Sequence, residues 1–106
     1  MIKLLDILDD DIEQYRIEYR VHAVRRMFQR DIFEEDIELL LKEGQIIERY
    51  DDDFPLPSLL ISGSDVAGRP LHVVAGINNA EKIIVVITAY EPDPLKWSDN
   101  FTGRIQ

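Results

Sequence analysis

Two histidines, His22 and His72, are the side chains of this 106-residue chain whose ordinary pKa suits proton transfer near neutral pH. His22 opens the string His22-Ala23-Val24-Arg25-Arg26-Met27-Phe28-Gln29-Arg30. At about 100° per residue, Arg26 and Arg30 fall on the same helix face as His22, one and two turns on. Arginine presents a planar fork that matches phosphate or carboxylate, so this face is a candidate anion site. His72 alternates with Leu71 and Val73 in a strand-like run and should point away from the face that Leu71, Val73, Ala75 and Ile77 pack. Tyr90 shares the alternation of Ile84, Val86 and Thr88 and is expected to reach the same side as His72. Arg69, before Pro70, is a third candidate phosphate ligand.

These residue types fit metal-free cleavage of RNA. That reaction activates a 2′-hydroxyl, stabilises a more negative phosphorane and protonates a leaving 5′-oxygen. His22, His72 and Tyr90 are the candidates for the proton steps, and Arg26, Arg30 and Arg69 for holding phosphate. Structural roles stand beside these. His22 can donate to a carbonyl or an acid near a helix N-terminus, and Arg26 and Arg30 can bridge to Glu34, Glu35 or Asp36. His72 can be a satisfied half-buried histidine, Tyr90 a packing residue, Arg69 a hairpin decoration, and Trp97 a staple for the C-terminal segment.

Other chemistries find little support. Cysteine is absent, which excludes thiol catalysis, disulfide scaffolds and Cys-ligated metal centres. The two histidines lack zinc-motif spacing. Asp51-Asp52-Asp53 lacks the spaced ligands of a calcium loop. No glycine-rich phosphate loop is present. Neither metal nor cofactor is expected.

The elements that position these residues read as helices first and strands after. Leu4, Leu5, Leu8 and Ile12 recur at helical spacing, which predicts an amphipathic helix over residues 3–14. Tyr15, Ile17, Tyr19 and Val21 alternate with charged residues and suggest a short strand, with a continuous helix as the alternative. Helices are expected over 22–30, with Ala23, Val24, Met27 and Phe28 on one face, and over 34–43, with Gly44 ending the second in the left-handed conformation. Strands follow at 46–50, 59–62, 71–77 and 82–90. The last is apolar on both faces, as a central strand would be. The fold class is therefore α+β, with N-terminal helices packed on one face of a four-stranded antiparallel sheet. Residues 1–106 read as one domain, with a core over 15–97 and a tail over 98–106.

Charge is unevenly spread. The chain carries −9 overall, which opposes general nucleic-acid binding. Residues 16–30 nevertheless hold Arg16, Arg20, Arg25, Arg26 and Arg30 against a single acid, Glu18. No segment has the length and apolarity of a membrane span, and the acidic start does not read as a secretory signal. A cytoplasmic domain without a membrane role is expected.

Four strings together resemble a prokaryotic domain-of-unknown-function family: His22-Ala23-x-x-Arg26-Met27-x-x-Arg30, Gly44-x-Ile46-Ile47-Glu48-x-Tyr50, Arg69-Pro70-Leu71-His72-Val73-Val74 and Tyr90-Glu91-Pro92-Asp93-Pro94-x-x-Trp97. That family is grouped with the compact ribonuclease-toxin folds typified by RelE, BrnT and MqsR. The resemblance implies a RelE-like architecture, RNA or ribosome-bound mRNA as substrate, and a small antitoxin as partner. Asp31-Ile32-Phe33 departs from the family's usual Gly-Ile-Ser, so Asp31 with Glu34 three residues on is the expected replacement cap. The alternative function is a non-catalytic protein-binding module on the same fold.

Overall fold

Alternation of Ile17 and Tyr19 with charged neighbours produces strand β1, Arg16–Tyr19, and the change to helical period produces helix α1, Val21–Gln29. Helix α2 covers Glu34–Glu43. Four strands follow: β2, Gln45–Tyr50; β3, Ser58–Ser64; β4, Pro70–Asn78; and β5, Ile83–Tyr90. The computed structural model describes residues 1–98 and 100–105.

The sheet order is β1-β5-β4-β3-β2. Strands β2 to β5 form the expected antiparallel meander. β1 joins its far side, parallel to β5. The architecture is thus α+β with five strands in a mixed sheet, rather than four antiparallel strands. Local alternation reveals that β1 is a strand but says nothing about a partner so distant in sequence. Arg16 N–H donates to Lys82 O at 2.9 Å and Arg20 N–H to Val86 O at 3.0 Å, which fixes the pairing. β5 thereby becomes an internal strand, as its two apolar faces require.

The N-terminal segment departs from expectation. In place of a helix over 3–14 there are two single 3₁₀ turns, Leu4–Asp6 and Ile12–Gln14. The consecutive Asp9, Asp10 and Asp11 have low helix propensity and mutual repulsion, and they fall where a helix would need its middle turns. Leu4 and Ile12 are buried all the same. The segment is tied down by Asn79, which accepts from the Tyr15 hydroxyl and donates to Ile7 O at 3.4 Å.

The core lies between the two helices and one sheet face. Leu71, Val73, Ala75 and Ile77 of β4 meet Ile84, Val86 and Ala89 of β5, with Ile37, Leu40 and Leu41 of α2 above. Each valine, leucine and isoleucine among them contributes roughly 1.5–3 kcal/mol on burial. Helix α1 buries a narrower stripe than its apolar residues predict. Ala23 and Met27 are inside, while Val24 is 51% and Phe28 87% exposed.

Helix ends also differ in detail. Asp31 adopts φ 53°, closing α1 in the left-handed region that short polar side chains tolerate. It does not cap α2; Phe33 N–H donates to Asp36 Oδ2 at 2.8 Å instead. Gly44 is extended, at φ −71°. Its requirement is space, because a Cβ there would stand 2.5 Å from Leu40 O and 2.6 Å from Ile61 Cγ2.

Candidate functional site

The second sheet face, opposite the helices, carries His72 and Tyr90. His72 points there from β4 as the alternation of Leu71 and Val73 demands. Tyr90 reaches the same face by a less direct route. Ile84 and Val86 face the core, and simple alternation would send Tyr90 after them. The register shifts between Val74 and Ala75, so Ile87 is an extra residue opposite them and parity inverts. Tyr90 then pairs directly with His72 across the ladder.

The C-terminal segment covers this face. After Pro94 the chain turns on the Asp93 carbonyl, which accepts from Lys96 N–H at 2.9 Å. A short hairpin follows, with Trp97 bridged to Arg104 and Ser98 N–H donating to Gly103 O at 2.7 Å. Phe101, within the segment expected to be a tail, thus lies against His72. Trp97 meets the imidazole edge-on, with centroids 4.5 Å apart, and Phe101 O lies 2.7 Å from His72 Nε2. His72 has no exposed surface.

Its tautomer follows from these partners. A carbonyl oxygen only accepts, so Nε2 carries the proton and donates it to Phe101 O. Nδ1 is then the free acceptor for the Tyr90 hydroxyl, 3.2 Å away. Burial pushes the imidazole below its ordinary value of 6.5, so it is neutral at pH 7. Burial also pushes the Tyr90 phenol upward.

Beside this pair sits a second polar cluster. Arg104 donates to both oxygens of Glu48, at 2.7 and 3.0 Å, and its guanidinium lies 4.6 Å over the Trp97 ring. The Tyr50 hydroxyl also donates to Glu48. The Arg104 hydrogen bonds hold the Glu48 carboxyl below its usual range, against the opposing effect of burial.

The predicted residues distribute unevenly around this centre. Arg26, Arg30 and Tyr90 come together in one groove with Thr88, Lys96 and Arg104. The acids Glu91 and Asp93 lie on its rim. Among the described residues Arg26 and Arg30 take part in no ion pair. His22 lines the neighbouring cleft with Arg20, Phe54, Leu56, Val85 and Ile87. The two histidines are therefore apart: His22 lines that cleft, while His72 is buried beneath Tyr90 and Trp97.

Arg69 is engaged elsewhere. Its Nε donates to Asp65 Oδ2 at 3.0 Å, Nη1 to Arg30 O at 2.7 Å and Nη2 to Asp31 O at 3.0 Å. The fork ties the β3–β4 turn to the α1–α2 connection, and its donors are not turned toward the groove. Asp36 reinforces that tie, accepting from Val66 N–H at 3.0 Å.

Sequence reasoning did not single out Glu48, Tyr50, Lys96 or Arg104 as site residues. Glu48 and Tyr50 carried a signal, being two apart on one strand within a quoted string. Arg104 carried none, because its place depends on how the C-terminal hairpin folds back. Among the described residues no cluster of three or more His, Cys, Asp or Glu side chains is arranged to hold a metal ion. No helix among them is long and apolar enough to cross a membrane.

Of the four quoted strings, three supply the buried centre and the first supplies its basic wall. The profile of a family described as "Domain of unknown function (DUF4258)" matches residues 19–91. No curated protein and no solved structure matches the chain.

Proposed function

The chain belongs to the DUF4258 family, and on that footing we propose that it is a toxin-type, metal-independent endoribonuclease of RelE-like architecture. RNA or ribosome-bound mRNA is its substrate, and a small antitoxin-like protein its partner. The observation that carries this reading is the Tyr90 hydroxyl, hydrogen-bonded to His72 Nδ1 and bordering the groove of Arg26, Arg30 and Lys96.

A proton relay follows from that geometry. Tyr90 oxygen accepts the proton of the attacking 2′-hydroxyl while its own proton passes to His72 Nδ1. The imidazole is neutral beforehand and so able to receive it. The phenol never has to ionise, which suits a group whose burial opposes ionisation. The 2′-oxygen attacks phosphorus, the 5′-oxygen leaves, and a 2′,3′-cyclic phosphate results. Among the described residues Arg26 and Arg30 have no carboxylate partner, and they are placed to neutralise the phosphorane. His22, one turn before Arg26 and lining the adjoining cleft, is the candidate donor to the leaving oxygen. The Phe101 carbonyl and Glu48 favour the imidazolium, while burial and Arg104 oppose it.

The test is cleavage of a mixed-sequence RNA in excess EDTA, alone and with translating ribosomes. The reading requires 2′,3′-cyclic phosphate ends from the wild type and their loss in Tyr90→Phe. Glu91 and Asp93 line the same groove and oppose a phosphate there, against the positive charge of Arg26, Arg30 and Lys96.

A further inference from the structure

Helix α1 has two exposed flanks of opposite character. Arg26 and Arg30 lie roughly 60° to one side of the buried Ala23–Met27 line, and Val24 and Phe28 roughly 100° to the other. The arginine flank borders the Tyr90 groove. The apolar flank is open to solvent: Val24 is 51% and Phe28 87% exposed, and Phe33 beyond the helix is 59% exposed. Large apolar side chains clustered in this way mark an interaction surface rather than scattered surface residues.

The surface is concave. Between α1 and α2 a cleft of about 290 Å³ is bordered by Tyr19, Val24, Met27, Phe28, Phe33 and Glu34. A second depression continues it over Tyr15 and Ile17, beside Glu38 and Lys42. Tyr15, Ile17 and Tyr19 alternate along one side of β1, and Glu34, Glu38 and Lys42 stand on successive turns of α2. The two depressions therefore run end to end as one groove. Its outer border is the free edge of β1, the terminal strand of the sheet. Arg16 and Arg20 direct their N–H groups to β5, so the backbone groups of Ile17 and Tyr19 point outward.

The rim is acidic. Asp31, Glu34, Glu35 and Glu38 are exposed there. Arg16 is occupied by Glu18 at 3.0 Å, and Lys42 by Glu13 at 3.8 Å. The Tyr19 hydroxyl senses this field. Burial first, then Glu34 and Glu38, push its pKa up to about 12.

We propose that this groove docks a basic amphipathic segment of a partner protein. The segment seats apolar side chains against Val24, Phe28 and Phe33 and sets Lys or Arg residues on Glu34 and Glu38. Charge complementarity selects this occupant. A nucleic acid or an acidic segment would be repelled by the rim, and a symmetric second copy would bring the same acids face to face. Docking is independent of the nuclease reading, because the groove lies on the flank of α1 away from Tyr90 and His72.

The test uses the full chain and three fluorescent peptides in anisotropy titrations. One peptide carries leucines at helical spacing flanked by lysines. The second has the same composition with the leucines scattered, and the third replaces lysine with glutamate. The first should bind about tenfold tighter than either other peptide, and the double variant Glu34→Lys with Glu38→Lys should weaken it by about tenfold. Phe28→Ala, at an exposed position, should weaken it about fivefold with an unchanged melting temperature. Equal binding of the scattered peptide, indifference to all these variants, or no binding at millimolar peptide would overturn the proposal. So would sedimentation showing a wild-type dimer that Phe28→Asp dissociates, since the occupant would then be a second copy.

Discussion

Tyr90 stands between solvent and His72: its hydroxyl lies 3.2 Å from Nδ1 of an imidazole that has no exposed surface. Anything His72 does to a molecule outside the fold must therefore pass through that hydroxyl. Tyr90→Phe cuts this route while keeping the ring. Losing one partly buried hydrogen bond should cost about 1 kcal/mol of stability. Removal of a proton-transfer group should lower cleavage roughly 10²–10⁴-fold. Chemical denaturation and a cleavage assay on the same preparation separate the two effects.

Stability should depend on pH through the same histidine. Burial lowers the pKa of His72 in the folded protein relative to its ordinary 6.5. The unfolded chain then binds more protons than the folded one between those two values. Stability should accordingly fall as pH drops below about 6.5, down to the folded-state pKa. Glu48 and Asp65, both held below their usual range, extend the loss at more acid pH as each is protonated. Denaturation midpoints from about pH 2 to 8 check this. In His72→Asn the upper part of the slope should vanish while the carboxylate part persists.

Arg26 and Arg69, both candidate phosphate ligands from sequence, should separate cleanly. Arg26 is exposed and unpaired among the described residues. Arg26→Ala should change stability by less than about 0.5 kcal/mol and weaken RNA binding. Arg69 donates to one carboxylate and two carbonyls. Arg69→Ala should cost about 1–3 kcal/mol, and Arg69→Lys should restore little, because an ammonium cannot reproduce the fork. Thermal melts beside filter-binding of labelled RNA distinguish the pair.

Gly44 offers a test of packing alone. A methyl group there meets the Leu40 carbonyl and the Ile61 side chain at less than 3 Å. Gly44→Ala should cost about 1–3 kcal/mol by overpacking, although alanine tolerates the extended backbone there. A melting temperature equal to wild type would contradict the close approach of α2 and β3.

Much of this arrangement was readable from the residues. The periods of α1, α2 and β2 to β5 identify their elements, because each local apolar pattern matches the period of the structure it forms. β1 shows how that reasoning runs out: alternation marks Ile17 and Tyr19, while their parallel partner β5 lies some sixty residues further along the chain. The 3–14 segment shows a second limit, where apolar spacing alone outweighed three adjacent aspartates that cannot share a helix turn cheaply. Tyr90 shows a third. Its side of the sheet depends on the extra residue Ile87, and a bulge leaves no mark on alternation. Glu48 and Arg104 meet only because the C-terminal hairpin folds over the sheet, a tertiary event that no local pattern encodes. Val24 and Phe28 share the apolar side of α1 with Ala23 and Met27. Only packing reveals that the stripe is wider than the core that receives it.

The most direct measurement is end-group analysis of RNA incubated with the wild type and with Tyr90→Phe in excess EDTA, with and without translating ribosomes. The relay predicts 2′,3′-cyclic phosphate ends from the wild type and at least about a hundredfold fewer from a folded Tyr90→Phe variant. Equal cleavage by the two proteins, or no cleavage by the wild type in either setting, would contradict it.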